Sequence, residues 1–249
     1  MNQNLHIPNS TLGQFVDFIW VAKLDSINIQ STQHAPLFTE LIFNYGDTFS
    51  VEGENVEEST SKYQKQIISG LKTSPFTTTA QGVYGSVGII LKPYCYGVLL
   101  NKFGTNSMNV ISEVLHEHVF FPERPNFIEA EKYLLKLFKG YEFDSDLIKF
   151  EQHISSEILQ KGAQHGFGLS LSISQKSFIQ KFKKHYLLTP SQYAKLKQVH
   201  CAIGLMKQNV NQNVLNAGLD AGFYDQAHFT KVFKKFCGVT PKQFLKENF

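Results

Sequence analysis

Two different periods of apolar residue divide the chain. From Leu12 to about Leu100, short apolar and β-branched runs (Leu41-Ile42-Phe43, Val83-Tyr84, Val87-Gly88-Ile89-Ile90-Leu91) alternate with turn-forming clusters at Tyr45-Gly46-Asp47, Glu52-Gly53-Glu54-Asn55 and Lys72-Thr73-Ser74-Pro75. Such runs predict strands, and many of them in succession predict a β-rich domain of barrel or sandwich type. Beyond Pro122 and Pro125 the period becomes helical. Phe127, Ala130, Tyr133, Leu134, Leu137 and Phe138 share one face of a helix over 126–139, Gly140 interrupts, and Leu147, Ile148, Ile154, Ile158 and Leu159 mark a second amphipathic stretch. The pattern predicts an α+β protein: a β-rich domain over 1–120, a helical linker over 121–143 and an all-α domain over 144–249.

The all-α part contains a repeat. A shift of 51 residues brings Gln175 onto Gln226, Phe178 onto Phe229, Phe182 onto Phe233, Lys183-Lys184 onto Lys234-Lys235, Thr189-Pro190 onto Thr240-Pro241, Gln192 onto Gln243 and Lys195 onto Lys246. Nine of the 21 columns from Gln175 to Lys195 are identical, where chance would give about one or two. Two copies are too few for a solenoid, so the repeat is a duplicated small module.

Spacing shows what each copy holds. Phe178 and Phe182, like Phe229 and Phe233, stand four residues apart and share a helix face. The opposite face carries Lys176, Gln180 and Lys183 in the first copy and Ala227, Lys231 and Lys234 in the second. Just beyond, Thr189 to Gln192 and Thr240 to Gln243 read as capping boxes: threonine at the N-cap, proline in the first turn, glutamine reaching back. A new helix is therefore expected from Pro190 and from Pro241, the first running to about Gln208 over roughly 27 Å. Upstream of the second copy, Val214 to Ala221 predicts a short helix ended by Gly222, with Asp225 as the next N-cap. Helix, glycine turn and helix with a basic outer face is the helix-turn-helix plan. In the first copy, Gly162, Gly166 and Gly168 weaken the expected first helix, and Ser174 caps the second.

Charge sharpens the contrast. Residues 160–249 hold 13 lysines against three acids, whereas residues 1–159 hold 11 basic and 18 acidic residues. A basic third on an acidic body fits a polyanion-binding domain attached to another function. Arg124 is the sole arginine, so phosphate and base contacts fall to lysine and polar side chains. Cys95, Cys201 and Cys237 are far apart and read as separate reduced thiols. His116 and His118, with Glu113 and Glu117, are the best metal-like cluster, but alternate residues do not share a helix face, and a solvated surface is expected there. Phosphate loops, nucleophile elbows and paired Cys/His motifs do not occur, so neither a catalytic site, nor a cofactor, nor a metal is expected. Met1 to Ser10 is uncharged apart from His6, unlike a secretion signal, and no run reaches the roughly 18 apolar residues that cross a bilayer. A cytoplasmic location is expected.

The segment Ala217-Gly-Leu-Asp-Ala-Gly-Phe-Tyr-Asp-Gln-Ala-His-Phe-Thr-Lys-Val-Phe-Lys-Lys-Phe-Cys-Gly-Val-Thr-Pro-Lys-Gln-Phe244 resembles the C-terminal signature of the AraC/XylS family of transcription regulators, and the resemblance runs from about Leu147 to Glu247. It implies two helix-turn-helix modules bridged by a long helix and reading adjacent major-groove segments. Carried over by position, the base-facing sites are Lys176, Ile179 and Gln180 in the first module, and Gln226, Ala227 and Lys231, with His228 beside them, in the second. Lys183 and Lys234 are candidate phosphate contacts. Gly218 stands where the family usually has alanine, Leu187 where glycine is usual, and Gln180 and Lys231 where arginine is common. His34-Ala-Pro-Leu-Phe-Thr-Glu-Leu-Ile-Phe-Asn-Tyr-Gly-Asp47 and Ile68-Ser-Gly-Leu-Lys-Thr73 more weakly resemble an uncharacterised sensor-like domain found ahead of such DNA-binding domains. The implied function is a sequence-specific DNA-binding regulator whose partner is double-stranded DNA; a small-molecule effector, a second copy and RNA polymerase are further candidate partners. The alternative is a small-molecule-binding protein or enzyme whose basic domain serves only localisation.

Overall fold

The computed structural model describes residues 2–61, 64–97, 105–159, 170–208 and 214–248. It divides into two compact units, residues 1–71 with 76–141, and residues 142–249 with the short segment 72–75.

The first unit is built on one antiparallel sheet of seven strands: β1 (Asn2–His6), β2 (Val16–Gln33), β3 (Thr39–Asn44), β4 (Thr48–Glu52), β5 (Val56–Ser61), β6 (Gln64–Ser69) and β7 (Phe76–Leu91). Their order is β1-β2-β7-β3-β6-β5, with β4 also paired to β7. The strand runs expected from residue patterning are present, gathered in this single antiparallel sheet. Three neighbouring strands are irregular at one level. β2 carries a register shift between Leu24 and Ile27. β7 has Gly82 at φ +89°, a conformation that favours glycine. The line of β3 and β4 breaks at Tyr45 to Asp47, where the Tyr45 and Gly46 amides donate to the Gly85 carbonyl and Asp47 Oδ2 accepts from the Val83 amide at 2.7 Å. Bulges at a common level bend a sheet. Here the bend brings Phe49, Val51, Phe76 and Ala80 into one core with Ile42 and Ile67. On that inner face the Trp20 indole lies over Gly88, where even a Cβ would come within 2.1 Å of the ring, and Trp20 Nε1 donates to Glu40 at 2.9 Å.

The other face of the sheet, with Ile19, Val21, Leu41, Phe43, Val87 and Ile89 buried, is covered by helices. α1 (Thr105–Leu115) runs into a π-helical turn, His116–Phe120, and α2 (Phe127–Phe138) follows. Tyr45 Oη donates to the Ser112 carbonyl at 2.7 Å, Gln66 Nε2 donates to Asn109 Oδ1 at 3.1 Å, and Phe120 lies against Gly85. His116 departs from the expected solvated surface: its ring packs among Tyr45, Phe120 and Phe121. Burial there, only partly opposed by Glu117, lowers its pKa. Its neighbours are aromatic because the π turn rotates Phe120 and Phe121 toward it.

The second unit is helical: α3 (Ser145–Leu159), α4 (Gln175–Tyr186), α5 (Pro190–Gln208), α6 (Val214–Asp220), α7 (Gln226–Cys237) and α8 (Pro241–Asn248). Its core is aromatic. Phe182 stacks on Tyr186 at 3.9 Å and packs against Phe150 and Tyr193, while Phe229, Phe233 and Phe244 form the matching set in the second half. α5 packs against helices of both halves. That is why its buried residues (Tyr193, Leu196, Val199, Ile203 and Met206 as expected, but also Ala194, Gln198 and Ala202) spread beyond one stripe. Cys95 and Cys237 are buried, and all three cysteines are free.

Candidate nucleic-acid interface

The 51-residue repeat is visible as repeated geometry. α4 and α7 each span 12 residues. Ser174 caps α4 by accepting from the Ser177 amide, and Asp225 caps α7 by accepting from the His228 amide at 2.7 Å. Each helix closes on a left-handed residue, Leu187 at φ +61° and Gly238 at φ +80°. Leu187 thus holds a conformation that glycine takes at no steric cost. Both capping boxes form: the Thr189 and Thr240 hydroxyls accept from the Gln192 and Gln243 amides at 3.3 Å, and each glutamine side chain accepts from its threonine amide at 2.8 and 2.9 Å. Four helix starts are therefore fixed by local chemistry alone.

Each helix buries its phenylalanines and turns a polar stripe outward. Phe178 and Phe182, and Phe229 and Phe233, are fully buried. Lys176, Gln180 and Lys183 are exposed on α4, with Ile179 half-buried beside them. Gln226, Ala227, Lys231 and Lys234 are exposed on α7, and His228 is half-buried with its ring edge against Phe223 at 5.7 Å. The structure thus gathers Lys176, Gln180 and Lys183 in one stripe and Ala227, Lys231 and Lys234 in another. Ile179 and His228 sit at the margins, where they also pack inward.

The lysines separate into two groups. Lys181 pairs with Asp144 at 2.7 Å, and Lys197 pairs with Glu151 at 2.6 Å. Both are used inside the domain. Among the described residues Lys176, Lys183, Lys184, Lys231, Lys234 and Lys235 have no acid partner. An unpaired exposed ammonium remains free to displace counterions from a phosphate.

Buried polar contacts hold the stripes in place. Asp144 caps α3 and pairs with Lys181 of α4, and Asp146, almost fully buried, accepts from the Ser172 hydroxyl at 2.5 Å and its amide at 2.9 Å. These two bonds tie α3 to the chain entering α4. The Ser172 hydroxyl and then its amide hold the Asp146 carboxyl below its ordinary range. Glu151 accepts from Tyr193 at 2.5 Å and Tyr186 at 3.1 Å; burial, and then the Glu151 charge, push the Tyr193 phenol far up. In the second half Gln198 of α5, 1% exposed, donates to the Gly222 carbonyl at 3.1 Å, so the bridging helix itself grips the turn ahead of α7.

The Asp146 contact has a pH signature. Its folded pKa is depressed, so its stabilisation is complete above the unfolded value of about 4 and disappears as pH falls through the lower folded value. Asp146→Asn is expected to cost about 1–3 kcal/mol at pH 7 and to flatten the loss of stability on acidification. Urea denaturation of both proteins at pH 7 and at pH 3 measures this; parallel pH profiles would contradict it.

Sequence reasoning passed over two residues. Tyr224, in the turn immediately before the Asp225 cap, is 91% exposed, whereas its neighbour Phe223 is buried. Gln198 looked like an ordinary polar position on α5, and the sole sequence signal was its place within the apolar spread. The glycines Gly162, Gly166 and Gly168, expected to weaken the first helix of the first module, lie outside the described residues.

Two capped helices with free basic stripes, held by one bridging helix, define a double helix-turn-helix domain. Residues 169–247 match a family described as "Helix-turn-helix domain", and residues 4–105 match "Domain of unknown function (DUF6597)". The C-terminal unit thus carries a helix-turn-helix domain, and it follows in sequence a β-sheet unit that is similar to a domain of unknown function. An "Uncharacterized HTH-type transcriptional regulator" of Haemophilus influenzae is 33% identical over 75 residues, 30% of this chain and 25% of that protein, so the match spans about a quarter of the relative's length. Similar solved structures include ToxT from Vibrio cholerae, at 14% identity and a TM-score of 0.48 over 99% of this chain and 98% of that one. ToxT bound to (E)-4-(8-methylnaphthalen-1-yl)but-3-enoic acid has 14% identity and a TM-score of 0.49 over 99% of each chain. Among the described residues no helix is long and apolar enough to cross a membrane.

Proposed function

We propose that the protein is a sequence-specific DNA-binding transcription regulator controlled through its N-terminal domain. α4 and α7 enter adjacent segments of the major groove. Lys176, Ile179 and Gln180, and Gln226, Ala227, His228 and Lys231, face base edges, while Lys183 and Lys234 meet phosphates. The observation that carries this reading is the pair of matching helices, both capped, both basic outward and both fixed to α5. A helical corner with a single basic face binds nothing in many proteins; two in register, with unpaired lysines on the same helical positions, make a reading head. The acidic first unit is unsuited to phosphate and supplies control, through a small molecule or a second copy. The protein acts in the cytoplasm, and RNA polymerase is a further partner of such a regulator.

The test uses the full chain. Selection from a random duplex pool is expected to return a preferred sequence, and a labelled probe of it should stay retarded against nonspecific competitor. With several lysines on phosphates, affinity should fall steeply with salt, by roughly 0.9 logarithmic units per tenfold rise in salt for each phosphate neutralised. No enrichment over the starting pool, or an affinity indifferent to salt, would overturn the reading.

A further inference from the structure

The free edge of β2 is the one long, unguarded strand edge among the described residues. β2 pairs with β7 along its whole length, from Val16 to Gln33, but on its other side β1 covers it only from Ile19 to Lys23. From Ile27 to Gln33 one edge of backbone N–H and C=O groups has no partner strand among the described residues. Seven residues at about 3.3 Å each give an open edge of roughly 23 Å. Proteins normally blunt such edges with charge, proline or a bulge, because an open ladder is a template for another strand. None of these guards is present: residues 26–39 contain no Lys, Arg, Asp or Glu, Pro36 lies beyond the strand, and the bulge at Leu24 to Ile27 ends where the open edge begins.

The core also runs out at this edge. Phe49 of β4 stands opposite Ala80 of β7, and Ala80 opposite Ile29 of β2, so the three share the inner face. Phe49 and Ala80 are buried, but Ile29, last in the row, is 48% exposed. One more strand laid antiparallel along β2 would complete both the hydrogen-bond ladder and the apolar row.

We infer that the occupant is β2 of a second copy of this chain, paired antiparallel about a two-fold axis at Ile29. The operation sets Ile29 against its own copy, Asn28 against Gln30 and Ile27 against Ser31, with no like-charge opposition. A neutral edge is also where two copies of an acidic unit approach with least repulsion, which disfavours a basic partner peptide as occupant. Five paired residues a side, Ile27 to Ser31, make a contact of the small, transient class, below about 1,200 Å². Association is therefore weak in solution and concentration-dependent. This inference deepens the self-association arm of the proposed control, and its test needs no DNA, so its failure is distinguishable from failure of the DNA-binding reading.

Sedimentation equilibrium of the full chain over a concentration series should show the mass rising from 28.3 kDa toward twice that value. Ile29→Lys and Ile29→Glu should each hold the protein at the monomer mass with an unchanged circular dichroism spectrum, because each sets like charges against one another at the axis. An equal mixture of the two should regain the dimer mass. In a separate arm, Ile29→Cys should give a disulfide-linked dimer under mild oxidation, since Cβ atoms across an antiparallel pair lie about 4.5–5.5 Å apart, and Asp25→Cys should not. A wild-type chain that stays monomeric at the highest concentration, variants that dimerise like it, a mixture that fails to recover, or a cysteine at 29 that does not cross-link would each overturn the assignment.

Discussion

Replacing Gly218 with alanine is expected to destabilise the protein by about 1–2 kcal/mol, although the same change in an open helix site would stabilise it. Gly218 lies in α6 and faces α7: a Cβ built there comes within 2.4 Å of Cδ1 and 2.5 Å of Cγ of Phe229. Phe229 is 1% exposed and packed edge-on to Phe233 at 5.5 Å, so its ring cannot swing away without moving α7. Helix propensity favours alanine over glycine by about 1 kcal/mol, but overpacking a filled core costs about 1–3 kcal/mol, and the clash wins. Gly204 in α5 is the control, because a Cβ there meets nothing within 4 Å. Gly204→Ala should therefore gain a few tenths to about 1 kcal/mol. Chemical denaturation of the two variants should give midpoint shifts of opposite sign. If Gly218→Ala raises the midpoint, Phe229 has room that the packing described above denies it. Alanine, the residue that commonly stands at this position in the AraC/XylS pattern that the segment resembles, is the one this core excludes. Phe229 has taken the space that the methyl group would fill.

Legibility in the sequence followed how locally each feature is determined. The capping boxes at Thr189 and Thr240, the caps at Ser174 and Asp225 and the buried phenylalanine pairs are set by residues within one turn of each other, so spacing alone exposed them. The left-handed ends at Leu187 and Gly238 share one column of the repeat; glycine announces that conformation and leucine hides it. The bend of the sheet left no period to read. It arises where Leu24 to Ile27, Tyr45 to Asp47 and Gly82 meet, three segments far apart in sequence whose alignment exists only after the strands pair. The same is true of Asp146 with Ser172 and of Gln198 with Gly222, polar pairs 26 and 24 residues apart. The charge excess of residues 160–249 was plain by counting, yet only the contacts show that Lys181 and Lys197 belong to the interior and must be subtracted from any phosphate-binding face.

Lys231→Ala is expected to cost about 1–3 kcal/mol of specific DNA affinity and to relax preference at one or two base pairs, whereas Gln180→Ala should cost less. Both side chains are exposed in mid-helix, on columns that coincide under the repeat, so the comparison changes chemistry while holding position nearly constant. Lysine donates to guanine O6 and N7 with a full charge; a glutamine at the same place offers a neutral amide, and its loss removes less. The neighbours point the same way. In α7 Gln226 and Ala227 are exposed beside Lys231 and leave its approach to base edges open, while in α4 the adjacent Ile179 is half-buried and can offer at most a methyl contact. Lys234, one turn further on and without an acid partner, should behave differently from either. If it meets only phosphate, Lys234→Ala weakens every sequence about equally and flattens the salt dependence by roughly one unit. Titrating the three variants against the selected site and a scrambled duplex, at several salt concentrations, separates these behaviours, because base contacts change the ratio of the two affinities and phosphate contacts change only the slope. If Gln180→Ala does the greatest damage, or if Lys231→Ala leaves the ratio of specific to scrambled binding intact, the first module is the main reader and α7 serves to hold the backbone.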